Sequence, residues 1–157
     1  MSLKLIGAAT LACLATGVSA RDWPVVENWH VEEAGVGECA MTSQFGDTVV
    51  RIDENDSGIG YFAAVKPGSK AEAGKTYPIT YSFDDWKTVH EGQANGFDAR
   101  GAIGLRMETD AGFTEELADI SVKTLRVAVH AAEFGGAFDM TGAQKAMTTL
   151  QECTNRR

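Results

Sequence analysis

The stretch Tyr77-Pro78-Ile79-Thr80-Tyr81-Ser82-Phe83 places a large apolar side chain at every second position. Successive residues of a strand point to opposite faces, so this alternation describes a strand with one buried side. Pro78 lacks an amide donor and belongs at a sheet edge or a strand start. The same period recurs over residues 48–53, 59–65, 103–108 and 125–129; in the last of these Leu125, Val127 and Val129 share a face. Turn chemistry separates the segments: Glu54-Asn55-Asp56-Ser57-Gly58, Lys66-Pro67-Gly68-Ser69 and Asp110-Ala111-Gly112 are rich in residues that favour turn backbone. Five strands at this spacing predict a mainly β (α+β) domain, an antiparallel meander closing into a β-sandwich or half-barrel.

Two helices are expected beside the sheet. Thr141 followed by Gln144 has the spacing of a capping box, and Ala143, Ala146, Met147, Leu150 and Cys153 then repeat at helical intervals on one face. That apolar face predicts a C-terminal amphipathic helix packed on the sheet, with Cys153 turned inward. A shorter internal helix is expected over 113–120, with Thr114 as N-cap, Glu115 and Glu116 in its first turn, and Leu117 and Ile120 as its buried pair.

The two ends of the chain are marked by different chemistry. Residues 1–20 carry Lys4, an apolar run from Leu5 to about Leu14, and Val18-Ser19-Ala20. This is the pattern of a signal peptide cleaved between Ala20 and Arg21, leaving residues 21–157 as a single β-rich domain. The alternative is a lipoprotein anchored at Cys13, although Thr10 stands where a lipobox has an aliphatic residue. No other apolar run is long enough to span a bilayer, so no transmembrane segment is expected in the mature chain. Removing the leader leaves two cysteines, Cys39 and Cys153. Export implies an oxidising compartment, periplasmic or extracellular, and there the pair is expected to form one structural disulfide stapling the helix to the sheet.

Charge narrows the partners. The full chain has 14 basic and 22 acidic residues; without Lys4 the mature chain has 13 against 22, a formal charge of −9. Such a surface repels nucleic acid and anionic membranes and suits a basic protein partner.

Catalytic and metal motifs are missing. The chain has no Gly-x-Ser-x-Gly, Ser-x-x-Lys or His-Glu-x-x-His pattern and no phosphate-binding or dinucleotide loop. His30, His90 and His130 are widely spaced and read as ordinary strand-end or surface residues. Asp53, Asn55, Ser57 and Gly58 match the opening of a calcium loop, but Ala64 stands where the bidentate Glu belongs, so an acidic hairpin turn is the expectation. Among the aromatic residues, Trp23, Trp29 and Trp86 lie near strand starts or loops, and Trp23 is the one hardest to bury. No catalytic residue, cofactor or metal site is assigned.

Trp29-His30-Val31 ahead of Cys39, then Leu125-Arg126-Val127-Ala128-Val129, then Phe138-Asp139-Met140-Thr141-Gly142-Ala143-Gln144-Lys145-Ala146 leading to Leu150, resembles the small bacterial exported proteins of the invasion-associated locus B type. The likeness is clearest in the C-terminal third, and this chain lacks the additional internal cysteines of those proteins. The resemblance implies a periplasmic β-rich domain with a closing helix and brings no catalytic residues. The sequence as a whole predicts a non-enzymatic exported domain acting by protein contact or envelope-related binding. Its alternatives are an acidic inhibitor or immunity-type protein that neutralises a basic toxin or hydrolase, and a hydrolase with dispersed residues using His90 or His130.

Overall fold

A computed structural model describes residues 23–35, 38–55, 60–84 and 88–155. The leader with its Ala20–Arg21 junction, Cys13, Trp86 and most of the 54–58 turn lie outside these residues. The described chain forms one antiparallel sheet of nine strands in the order β1-β2-β3-β4-β7-β6-β5-β8-β9. They are β1 (His30–Gly35), β2 (Glu38–Phe45), β3 (Thr48–Asn55), β4 (Gly60–Val65), β5 (Thr76–Phe83), β6 (His90–Ala99), β7 (Ala102–Thr109), β8 (Thr124–Val129) and β9 (Phe134–Asp139). Helix α1 (Ala111–Ala118) lies between β7 and β8, and α2 (Ala143–Asn155) follows β9.

The sheet is a half-barrel, and all five strand segments expected from period-two alternation are present as β3, β4, β5, β7 and β8. Strand order departs from a simple meander at two connections. The link after β4 passes β7 and β6 to reach β5, and the link carrying α1 runs back past β6 and β5 to reach β8. The first crossing explains a glycine: a Cβ on Gly96 of β6 would sit 2.1 Å from the Glu72 carbonyl oxygen. Hydrogen bonds from Gly96 N to Lys75 O and from Gly74 N to Gly96 O hold the crossing segment there, each 2.8 Å long.

Register puts the apolar residues on one inner surface. Met41 faces Ile52, Ile52 faces Phe62 and Phe62 faces Met107 across four strands, and all four are buried. Leu125, Val127 and Val129 continue that surface on β8. Phe113 of α1 fills one end of the half-barrel, its ring 5.4 Å from both Tyr81 and Phe83 and 6.2 Å from Phe62. Helix α2 lies over β1, β2 and β3 and also touches α1.

The buried face of α2 is the one the sequence predicts, Ala143, Ala146, Met147, Leu150 and Cys153. Cys153 is bonded to Cys39 on β2, with Cα atoms 6.1 Å apart. Its start is built differently from a capping box. Thr141 N donates to Asp139 Oδ1 at 2.9 Å, and the Gln144 amide donates to the carbonyls of Asp119 and Val122 at 3.0 and 3.1 Å. Gln144 therefore ties α2 to the segment after α1 instead of returning to its own N-terminus. Gly142, at φ +82°, supplies the left-handed residue that turns β9 into the helix.

Helix α1 begins at Ala111, two residues before the expected 113, because its N-cap is Asp110, not Thr114. The Asp110 carboxylate accepts from Phe113 N at 2.8 Å, and Thr114 sits inside the helix with its hydroxyl donating to Asp110 O. The earlier start rotates the buried pair to Phe113 and Leu117 and leaves Ile120, beyond the helix end, 78 % exposed.

Candidate functional site

Strand parity decides what the open end of the half-barrel presents. On β3, Val50, Ile52 and Glu54 share the inner face, while Arg51 and Asp53 point outward. Glu54 lies opposite Cys39 on β2 and Gly60 on β4, and Gly60 lies opposite Thr109 on β7. This inner row ends under α1 and α2, where a cavity of about 370 Å³ opens between the two helices and the sheet. Phe113, Leu117, Met147 and Leu150 give it an apolar lining; Glu54 lines its sheet side, and Glu115 and Gln151 stand at its exposed rim.

Gly60 is what keeps this row open. A Cβ there would meet the Thr109 hydroxyl oxygen at 2.4 Å, so any side chain would displace Thr109 or fill the groove. Glu54 Oε2 is buried with no hydrogen-bond partner among the described residues. Burial raises its pKa above the ordinary 4.5. An ionised carboxylate in that position lacks the solvation it has in water and the compensating donor it would need in a core.

The outer face of the same strands is paired. The Arg51 guanidinium donates to Asp53 Oδ1 and, at 3.1 Å, to Glu32 Oε1. The Arg106 guanidinium carbon lies 3.6 Å from the centre of the Tyr61 ring, a cation–π contact. Asp53 has a raised pKa, because burial outweighs the opposing attraction and hydrogen bond of Arg51. Its carboxylate is thus engaged by a guanidinium, and both it and Asn55 belong to regular β3 backbone. The calcium-loop spacing falls on a strand as far as the described residues run.

The three histidines lie on separate elements. His30 is exposed at the start of β1 and His130 is exposed in the short turn of helix after β8. His90 opens β6 on the inner side of the sheet, stacked on Tyr81 with ring centres 4.9 Å apart, and its Nε2 lies 3.0 Å from Glu116 Oε1 on α1. Burial raises the Tyr81 pKa, and the nearby Asp110 and Glu116 charges add to that effect. Among the described residues no three His, Cys, Asp or Glu side chains come together as metal ligands.

Aromatic residues mostly fill the core. Trp29 is fully buried with its ring edge-on to Phe45 at 6.0 Å, and Trp23 packs half-buried against the same cluster. Sequence spacing alone missed Glu54 because it reads as the first turn residue. The available signal was its parity with Val50 and Ile52, which places a carboxylate at an inward strand position.

A nine-stranded antiparallel half-barrel with a terminal helix bonded by a disulfide to its second strand defines the structural class. No protein-family model matches the chain, and no curated protein matches it. Among solved structures, the crystal structure of invasion associated protein B from Bartonella henselae is similar, with a TM-score of 0.61 at 17% identity, covering 85% of this chain and 98% of that one. That likeness establishes a shared fold. Among the described residues no helix is long and apolar enough to cross a membrane.

Proposed function

We propose that this chain is an exported, non-enzymatic domain, periplasmic or secreted, that acts by contact with another protein through the groove between α1 and α2. The observation that carries the reading is the groove itself: an apolar recess ending on the half-buried carboxylate of Glu54, whose Oε2 has no hydrogen-bond partner among the described residues. A recess of this kind, on a domain with a formal charge of −8 for the full chain, favours a basic protein over an anionic one. The leader pattern of residues 1–20 and the buried disulfide both suit an oxidising compartment outside the cytoplasm. An inhibitor or immunity-type role toward a basic toxin or hydrolase is the specific form of contact that fits this charge.

The hydrolase reading has one supporting observation, the His90–Glu116 contact. A histidine oriented by a carboxylate is two-thirds of a catalytic triad, but His90 Nε2 makes no hydrogen bond among the described residues and its ring is stacked on Tyr81.

Immobilised residues 21–157 presented with periplasmic extract at low and at high salt test the contact reading. Retention of a basic protein at low salt, lost at high salt, is the expected result. Saturable turnover of an ester, peptide or glycan by the purified chain, abolished by His90→Ala, overturns it. N-terminal sequencing of the exported protein tests the Ala20–Arg21 cleavage.

A further inference from the structure

From the pairing of charges around the groove, we infer that its occupant is a lysine or arginine side chain flanked by apolar residues on a partner protein, its cation seated on Glu54. This rests on the contact reading above and makes it specific.

The groove has three chemical parts. Its walls are apolar, from Phe113 and Leu117 of α1 and Met147 and Leu150 of α2. Its volume, about 370 Å³, lies at the small end of ligand-sized recesses. The ionisable side chains that face it, Glu54 on the sheet side and Glu115 at the rim, are both acidic, while Asp53 contributes backbone there and turns its carboxylate to Arg51 on the outer face. A lysine or arginine stem is a hydrocarbon chain ending in a cation, so it matches an apolar passage that ends on a carboxylate.

Glu54 has no intramolecular cation to take that place among the described residues. Arg51 on the same strand and Arg106 on β7 both project from the opposite face, Arg51 onto Asp53 and Glu32 and Arg106 over Tyr61. Among the described residues no three-ligand group surrounds Glu54, whereas a hard cation takes six or more oxygens. An ammonium or guanidinium needs one carboxylate, and it supplies the counter-charge and donor that Glu54 lacks among the described residues. Burial raises the Glu54 pKa, and a cation competes with the proton for its carboxylate, so binding weakens as pH falls.

The test is a titration of isotope-labelled residues 21–157, followed by amide NMR shifts, with three capped tripeptides: acetyl-Leu-Lys-Leu-amide and its norleucine and glutamate counterparts. The lysine peptide is expected to shift Gly60, Thr109, Met147 and Gln151 saturably, at least tenfold more tightly than the norleucine peptide, and the glutamate peptide to leave them unmoved. Glu54→Gln is expected to erase the lysine preference. Gln151→Lys, an exposed change at the rim, is expected to place an internal cation in the groove and block the lysine peptide while leaving the rest of the spectrum intact. Equal binding of the norleucine peptide, an unchanged lysine preference in Glu54→Gln, shifts confined to another face, or no shifts at all each overturn the inference. Removal of residues 156–157 covers self-occupancy: if that deletion alone is what allows the lysine peptide to bind, the occupant is Arg156 or Arg157 and the partner-borne cation is refuted. Failure of the peptides alongside salt-sensitive retention of a basic protein leaves the contact reading standing on a different surface.

Discussion

Replacing both Cys39 and Cys153 by alanine removes a cross-link spanning 114 residues. In the chain-entropy description, freeing a loop of that length gives the unfolded chain about 4.8 kcal/mol of conformational free energy at room temperature. A domain of about 137 residues unfolds with an entropy near 0.29 kcal/mol/K, so the full effect is a fall in Tm of about 17 °C. Engineered and native bonds commonly deliver less, and half of that value is a fall of about 8 °C. Both sulfurs sit in the core, Cys39 fully buried and Cys153 2 % exposed, so the alanine pair also loses packing and the fall is not smaller on that account. The assay is thermal unfolding followed by far-ultraviolet circular dichroism, comparing wild type, wild type reduced in denaturant and refolded, and the double variant. Sheet content before unfolding is expected to be unchanged, and reductant added to the native protein is expected to act only as fast as the protein opens. A fall of less than about 3 °C in the double variant, or two titratable thiols in denatured protein prepared without reductant, refutes the reasoning.

Asp110→Ala removes the α1 cap and should cost about 1 kcal/mol, measured by urea unfolding, with Asp110→Asn recovering most of it. Gly96→Ala should destabilise by more than about 2 kcal/mol, because its methyl group would overlap the Glu72 carbonyl; the same change at the β6–β7 hairpin residue Gly101 has open space and meets only positive-φ strain. Glu54 has a raised pKa in the folded protein, so the native state holds its proton more tightly than the unfolded chain and stability is lost as pH rises from near 4.5 through the raised folded value. Glu54→Gln should therefore have a higher Tm than wild type at neutral pH and a smaller advantage in acid, measured by calorimetry across the pH range; a variant less stable than wild type at neutral pH contradicts the assignment. The exposed Asp119 and Asp139 run the other way, since hydrogen bonds from Ser121 and Thr141 hold their pKa values down and their contribution is lost in acid in both proteins.

The strands that announced themselves did so because only one of their faces is buried. Tyr77, Ile79, Tyr81 and Phe83 on β5 and Leu125, Val127 and Val129 on β8 face the core while their neighbours are less buried or polar. On β2, Cys39, Ala40 and Met41 are all fully buried, so burial on both faces erases the period. On β6 the signal is cut by Gly92 and Gly96, whose identities answer to Ile79, Met107 and the crossing loop and not to strand propensity. On β9, Gly135 and Gly136 do the same. Gln144 matched a local capping pattern but was recruited by Asp119 and Val122 from a distant segment, a choice that tertiary packing makes and spacing cannot show. The groove was illegible for the same reason: its walls come from two helices more than twenty residues apart, and Glu54 becomes distinctive only when register places it inside.

The bond between β2 and α2 also sets an order of events. During synthesis Cys39 emerges more than a hundred residues before its partner, and only one pairing within residues 21–157 is open to it. Strands β1 to β4 can pair as they appear, yet the half-barrel remains chemically unlocked until the helix bearing Cys153 arrives. A product halted anywhere before that helix keeps a free thiol beside Glu54 and an uncovered apolar surface across β1, β2 and β3, which makes it visible to thiol reagents and to proteases. The covalent seal therefore doubles as a record that translation ran far enough, separating finished molecules from fragments.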